Sequence, residues 1–105
     1  MNKHFTYDDI IFRIGYFRTK HNLSARELSL RVGYSESYIN RIERKLVDLK
    51  VQNLIEIMDY FEITPEEFFY SKPEEYEKDK EIFERISELS PDNKARLLDL
   101  AKHMK

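Results

Sequence analysis

Leu23-Ser24-Ala25-Arg26-Glu27-Leu28-Ser29-Leu30-Arg31-Val32-Gly33-Tyr34-Ser35-Glu36-Ser37-Tyr38-Ile39-Asn40-Arg41-Ile42-Glu43 reads as two short helices and a tight turn. Ser24 and Glu27 form a capping box: the hydroxyl accepts the backbone N–H three residues on, and the carboxylate reaches back to the N–H of Ser24. Leu28 and Val32 follow one turn apart. Gly33 ends the helix, because glycine enters the left-handed region at little cost. Ser35 is expected to cap the next helix, with Ile39, Ile42 and Leu46 as its buried face. Glu36, Ser37, Asn40, Arg41 and Arg44 then lie on the rest of its surface. Two capped helices hinged at a glycine are the layout of a helix-turn-helix.

Helical periodicity extends outward from this segment in both directions. On the N-terminal side, Thr6-Tyr7-Asp8-Asp9 supplies a capping hydroxyl and first-turn acids, which suit the positive end of a helix. Ile10, Ile14 and Phe17 recur beyond it, with Ile11 and Arg18 nearby. This helix should run to about His21 and stop at Asn22. On the C-terminal side, residues 45–50 read as a linker. A helix from about Val51 carries Leu54, Ile57, Met58 and Phe61. Thr64-Pro65-Glu66-Glu67 starts another, with proline at the first helical position, and Phe68 and Phe69 follow. Ser71-Lys72-Pro73 breaks the pattern. After a charge run over residues 74–80, Ile82, Phe83, Ile86 and Leu89 form a narrow apolar stripe. Ser90-Pro91-Asp92 starts a last helix with Leu97, Leu98, Ala101 and Met104 on one side.

Composition narrows the possible functions. The chain has 105 residues, of which 41 % are hydrophobic, with seven Phe and seven Tyr. That is one ordinary domain with an appendage, too short for a two-domain nucleotide-dependent enzyme or a barrel. Two Gly and three Pro speak against a β-sandwich. No Cys is present, which removes disulfides, thiolate metal sites and cysteine nucleophiles. No run is long and apolar enough for a membrane span. The first residues lack a signal-peptide core, so a cytoplasmic protein is expected. His4, His21 and His103 are dispersed and suggest no metal site. The carboxylate pairs Glu66-Glu67 and Glu74-Glu75 fit helix starts better than acid–base chemistry. Tyr16, Tyr34, Tyr60, Tyr70 and Tyr76 read as rims of the core. No nucleophile–base pair, metal cluster or phosphate-binding glycine loop is present, so neither an enzyme nor a cofactor is expected.

The net charge of −2 conceals an asymmetry. Residues 1–50 hold 10 Lys/Arg and 6 Asp/Glu, whereas residues 51–105 hold 8 and 14. A basic half carrying a helix-turn-helix suits double-stranded DNA. In that role the first helix of the motif crosses the backbone and braces the second, whose polar face enters the major groove.

The residues also resemble a family. Leu23-Ser24-Ala25-Arg26-Glu27-Leu28-Ser29, Val32-Gly33-Tyr34-Ser35 and Ser37-Tyr38-Ile39-Asn40-Arg41-Ile42-Glu43-Arg44 look like the phage-repressor/Cro, or XRE, type of helix-turn-helix. Leu54-Ile55-Glu56-Ile57 and residues 61–69 are similar to its fourth and fifth helices. The Ser37-Tyr38-Ile39 and Ile42-Glu43-Arg44 steps look most like sporulation and biofilm repressors of Gram-positive bacteria. The resemblance implies an all-α, lambda-repressor-like domain of five helices over residues 1–70. It implies a bacterial or phage repressor that binds an inverted-repeat operator as a homodimer. It implies an ion pair between the first and third helices, at Arg18 and Glu43. Base-reading positions fall on Ser35, Glu36, Ser37, Asn40 and Arg41, and phosphate or sugar contacts on Tyr38, Arg44 and Lys45. Two positions depart from the family. Ala25 stands where a phosphate-binding Gln is usual, and Arg26 beside it is the substitute. Lys45 stands where Gly is frequent, which predicts a different course for the following loop.

Residues 71–105 are expected to form a helical hairpin. About 30 residues in two amphipathic helices do not hold together alone. Dimerisation through Ile82, Phe83, Ile86, Leu89, Leu97, Leu98 and Ala101 is the preferred reading. Packing on the same chain and docking of an antagonist protein are the others. An alternative for the whole chain is an antagonist that pairs with a related repressor and no longer reads DNA.

Overall fold

The computed structural model describes residues 5–104, so His4 lies outside the described residues. They form seven α-helices and no strand: α1 Tyr7–Lys20, α2 Ala25–Val32, α3 Tyr38–Glu43, α4 Val51–Phe61, α5 Pro65–Phe68, α6 Tyr76–Ser87 and α7 Pro91–Lys102. A short 3₁₀ turn, Pro73–Glu75, precedes α6. The chain divides into two compact units, one ending at Phe69 and one starting at Tyr70.

In the first unit, α1, α2, α4 and α5 begin much as their sequences dictate. Thr6 and Asp9 close a reciprocal capping box on α1, and Ser24 and Glu27 close another on α2. Glu27 is held below the usual carboxylate range by the Ser24 backbone N–H and hydroxyl. Val51 starts α4 without a side-chain cap. The Thr64 hydroxyl accepts the N–H of Glu67 at the start of α5, where Pro65 takes the first helical position.

The inward faces of these helices make one core. Ile14 and Phe17 of α1, Leu28 of α2, Ile39 of α3, Leu54, Ile57, Met58 and Phe61 of α4, and Phe68 of α5 are all buried. The Phe17 ring stacks on Phe68 with centroids 5.7 Å apart and lies 6.3 Å from Phe61. Fully burying each such side chain contributes roughly 1.5–3 kcal/mol, so the short α3 and α5 are held by packing more than by propensity. Arg13 adds a polar tie, donating to the carbonyl of Phe68 at 2.8 Å.

Four helices end alike although only one ends in glycine. Gly33 closes α2 at φ 97°, while Asn22, Lys45 and Glu62 stand after α1, α3 and α4 at φ 57°, 60° and 56°. At each, the next residue's N–H reaches back five positions: Leu23 to Arg18, Tyr34 to Ser29, Leu46 to Arg41 and Ile63 to Met58. This is the Schellman closure, which satisfies carbonyls that the helix leaves open. Lys45, where glycine is frequent in the family it resembles, itself takes the glycine-like conformation.

Two expectations for α3 are corrected. Ser35 does not cap it. The helix begins at Tyr38, and Ser37 before it makes no side-chain cap bond. Leu46 is 58 % exposed rather than buried, because the Schellman turn at Lys45 carries it off the inward face.

The second unit is built differently. The Tyr70 hydroxyl donates to Asp79 at 2.5 Å, and its ring meets Tyr76 edge to face at 5.3 Å. Tyr76 is buried. Ser90 caps α7 through the N–H of Asn93. Most of the apolar stripe is uncovered. Ile82, Phe83, Leu89, Leu98 and Ala101 are exposed, with Phe83 at 63 %, and Ile86 and Leu97 are half-buried.

Candidate nucleic-acid interface

The α2–α3 pair presents α3 with one face in the core and the other in solvent. Ile39 and Ile42 are fully buried, while Asn40, Arg41 and Arg44 are exposed. Three anchors set the position of α3. The first is the turn itself, where Gly33 reverses the chain. No atom lies within 4 Å of the place a Gly33 Cβ would take. The positive φ, and not crowding, is what calls for glycine here.

The second anchor is Ser29, a residue that periodicity gives no reason to single out. It is fully buried on α2. Its hydroxyl accepts the N–H of Ile39 at 3.0 Å and donates to the carbonyl of Ala25 at 2.9 Å. Ile39 lies in the first turn of α3, where helix N–H groups have no partner within the helix. Ser29 thus supplies, from the neighbouring helix, the cap that α3 lacks locally.

The third anchor is Arg18 with Glu43. Arg18 Nε donates to one Glu43 oxygen and Nη2 to the other, both at 2.9 Å, while Nη1 donates to the carbonyl of Leu23 at 2.9 Å. Both side chains are about four-fifths buried. The paired carboxylate raises the Arg18 pKa above its ordinary value. A bidentate fork fixes orientation as well as distance, so the end of α3 is aligned with α1. Gly15 lies beside the pair, and a Cβ there would make ordinary van der Waals contact with the Glu43 carboxylate at 3.9 Å.

The residues expected to meet DNA are nearly all exposed, and some of them are also engaged within the protein. Ser35, Glu36, Ser37, Asn40, Arg41, Arg44 and Lys45 are exposed around α3, as is Arg26 on α2. Among the described residues, no carboxylate pairs with Arg41 or Arg44. Arg26, Glu36, Lys45 and Tyr38 are engaged within the protein. Arg26 meets Glu36 at 3.3 Å, and Lys45 meets Asp8 at 2.8 Å. Tyr38 is half-buried and donates its hydroxyl to Asn53 of α4 at 2.6 Å. Such exposed ion pairs are worth about 0–1 kcal/mol and are readily exchanged, so Arg26 and Lys45 keep their capacity to meet an anion.

Several neighbours of this surface carry no sequence signal. Ser29, Asn53 and Glu56 look like ordinary polar residues on helices. The Tyr7 hydroxyl accepts the N–H of Leu49 at 2.7 Å and ties the α3–α4 loop to α1. The contacts that matter lie 42 residues apart for this pair and 15 for Tyr38 and Asn53, distances that no local pattern reports.

No curated protein and no solved structure shows significant similarity to the chain. A helix-turn-helix family model matches residues 14–68, the interval that contains Gly33, Ser29 and the bidentate pair. That interval is more than half of the sequence, and the chain belongs to the XRE-type helix-turn-helix family of DNA-binding transcriptional regulators.

Proposed function

We propose that the protein is a sequence-specific repressor that occupies an inverted-repeat operator as a homodimer. The carrying observation is the exposed polar face of α3, held by buried Ser29 and by the Arg18–Glu43 fork. On this reading α3 enters the major groove. Arg41 pairs with guanine and Asn40 with adenine, while Glu36 accepts from cytosine. Ser35 and Ser37 complete the base-reading set. Arg26, Arg44 and Lys45 meet phosphates, which set register without reading sequence.

The homodimer is supported by the second unit. Ile82, Phe83, Leu89 and Leu98 leave apolar surface open, which suits a second copy of the same stripe with Ile86, Leu97 and Ala101 completing it. Two α3 helices would then enter successive major grooves roughly 34 Å apart. The dense acids of this unit keep it away from the DNA by charge.

The test is a titration of the purified chain against fragments of the DNA upstream of its own gene at several salt concentrations. Selective binding that weakens steeply with salt is expected, because released counterions give that slope. A folded chain that selects no fragment would overturn the reading in favour of a protein-interaction antagonist.

A further inference from the structure

Tyr38 opens α3, and its hydroxyl is already committed inside the protein. It donates to Asn53 Oδ1 at 2.6 Å. The Asn53 amide donates in turn to the Tyr34 hydroxyl at 3.2 Å and to Glu56 Oε1 at 3.3 Å. Tyr34 donates to the same Glu56 oxygen at 2.5 Å. The Tyr34 and Tyr38 rings meet edge to face with centroids 4.8 Å apart. These four side chains link the turn, the first residue of α3 and the first two turns of α4.

The direction of every bond in this network follows from its chemistry. An ionised carboxylate only accepts, so Tyr34 and the Asn53 amide both point their protons at Glu56. The Asn53 oxygen is then left to accept from Tyr38. A phenol has one proton to donate, and a phosphate oxygen has none. Tyr38 therefore cannot keep Asn53 and donate to the DNA backbone at the same time. The Glu56 carboxyl is held below the ordinary range by Tyr34 and Asn53, in keeping with its role as the common acceptor.

We propose that Asn53 and Glu56 are positioning residues for DNA recognition, which hold Tyr34 and Tyr38 and so fix the start of α3, and which withhold the Tyr38 hydroxyl from the phosphates. This deepens the DNA-reading role proposed above and rests on it. The need for such a device is plain in the geometry. The helix has only six residues and no side-chain cap of its own. Ser29 fixes its backbone from α2, and Asn53 fixes its first side chain from α4.

The test uses the full chain and a duplex that the wild-type protein selects from a random pool. Affinity for that duplex is measured for Tyr38→Phe, Asn53→Ala, the double variant, Asn53→Asp, and Asn53→Asp with Glu56→Gln. Thermal unfolding of each variant reports folding. The first two changes are expected to weaken binding about threefold to tenfold, roughly the worth of one hydrogen bond, and the double variant no further than Asn53→Ala alone. Asn53→Asp places two carboxylates side by side and is expected to bind less tightly still. Adding Glu56→Gln removes the repulsion, restores a donor toward the new carboxylate, and is expected to recover affinity to within about twofold.

Losses from Tyr38→Phe and Asn53→Ala that multiply would show that the Tyr38 hydroxyl meets DNA by itself, and would overturn the proposal. So would a folded Asn53→Ala that binds as wild type. If Asn53→Ala does not fold, the Asp/Gln pair decides: absence of recovery in a folded protein overturns the proposal. A wild-type chain that selects no duplex removes the DNA-reading role itself, an outcome separate from the others.

Discussion

The buried hydroxyl of Ser29 caps a helix to which Ser29 does not belong, accepting the N–H of Ile39 at 3.0 Å from the neighbouring helix. The placement has an energetic consequence. Ile39 is fully buried, so without Ser29 its N–H would face no partner and little water. Leaving a buried donor unsatisfied costs about 1–3 kcal/mol. Ser29→Ala is therefore expected to lower stability by about that amount, read as a lower denaturant midpoint at unchanged slope. It should also weaken DNA binding, because the first turn of α3 loses its backbone anchor. A variant as stable as the parent would show that another group reaches the Ile39 N–H.

The Arg18–Glu43 fork predicts an asymmetry between single and double changes. Removing Arg18 strands a mostly buried carboxylate, and removing Glu43 strands a guanidinium. A fully buried stranded charge costs about 3–5 kcal/mol, whereas replacing a whole pair by apolar groups is often neutral. Since each side chain is about one-fifth exposed, Arg18→Met or Glu43→Met is expected to cost about 1–3 kcal/mol. The double variant is expected to cost less than either. Urea unfolding of the three proteins measures the coupling, and additive losses would contradict it.

Glycine is the plainest helix terminus in a sequence, and here it accounts for only one of four like closures. Gly33 and Asn22 are residue types that tolerate a positive φ, so the ends of α2 and α1 are legible. Lys45 and Glu62 take the same conformation against preference, and nothing local announces it. The core was legible for a related reason. Ile14, Phe17, Leu54, Ile57, Met58 and Phe61 recur at helical spacing, and α4 and α5 start where the sequence places them. Of the anchors of α3, the Gly33 turn is legible and the Arg18–Glu43 pair is implied by the family resemblance, but the hydroxyl and amide anchors are not. Ser29, Asn53 and Glu56 act on residues 10 to 22 positions away, so their roles exist only once the chain is folded. Serine before a helix is a frequent cap, but Ser35 does not serve as one, because the cap of α3 comes from Ser29 of α2 instead.

The non-glycine closures give a stabilising prediction. The left-handed region costs an L-residue roughly 1–2 kcal/mol, and glycine's extra unfolded-state freedom takes back about half of that. Glu62 is exposed, so Glu62→Gly is expected to raise stability by about 0.5–1 kcal/mol. Gly33→Ala, at φ 97°, is expected to lower it by a similar or larger amount. Thermal midpoints of the two variants should move in opposite directions. Lys45→Gly should also stabilise the fold, but it removes a cation proposed to meet phosphate. Its DNA affinity should fall while its melting temperature rises.

Acid should destabilise the first unit through two carboxylates in particular. Glu27 and Glu56 are both held below their ordinary value of 4.5 by hydrogen bonds that only the folded chain provides. In the unfolded chain they titrate near that value. Their contribution is therefore complete above about pH 4.5 and is lost as pH falls through the lower, folded values. Stability is expected to be flat between about pH 8 and 5 as far as these groups matter, and to fall below that. Glu56→Gln cannot titrate at this position, so its stability should fall less steeply in acid than the parent's. Parallel acid limbs in the two proteins would mean that the Tyr34–Asn53–Glu56 network does not persist in solution.

The open stripe on the second unit makes the last prediction, about assembly. Phe83 is 63 % and Leu98 59 % exposed, and charge placed at either position costs a lone chain little. In a dimer the same charge would be buried opposite its own copy, without a partner, which is costly. Phe83→Glu and Leu98→Glu should therefore leave the helical content unchanged and convert a dimer to monomer in sedimentation velocity. Each half-operator would then be bound independently, so affinity for a two-site duplex should drop toward that for a single site. The contrast between the two duplexes separates loss of pairing from loss of DNA reading. A Phe83→Glu chain that still sediments as a dimer, and still prefers the two-site duplex, would move the pairing surface away from this stripe.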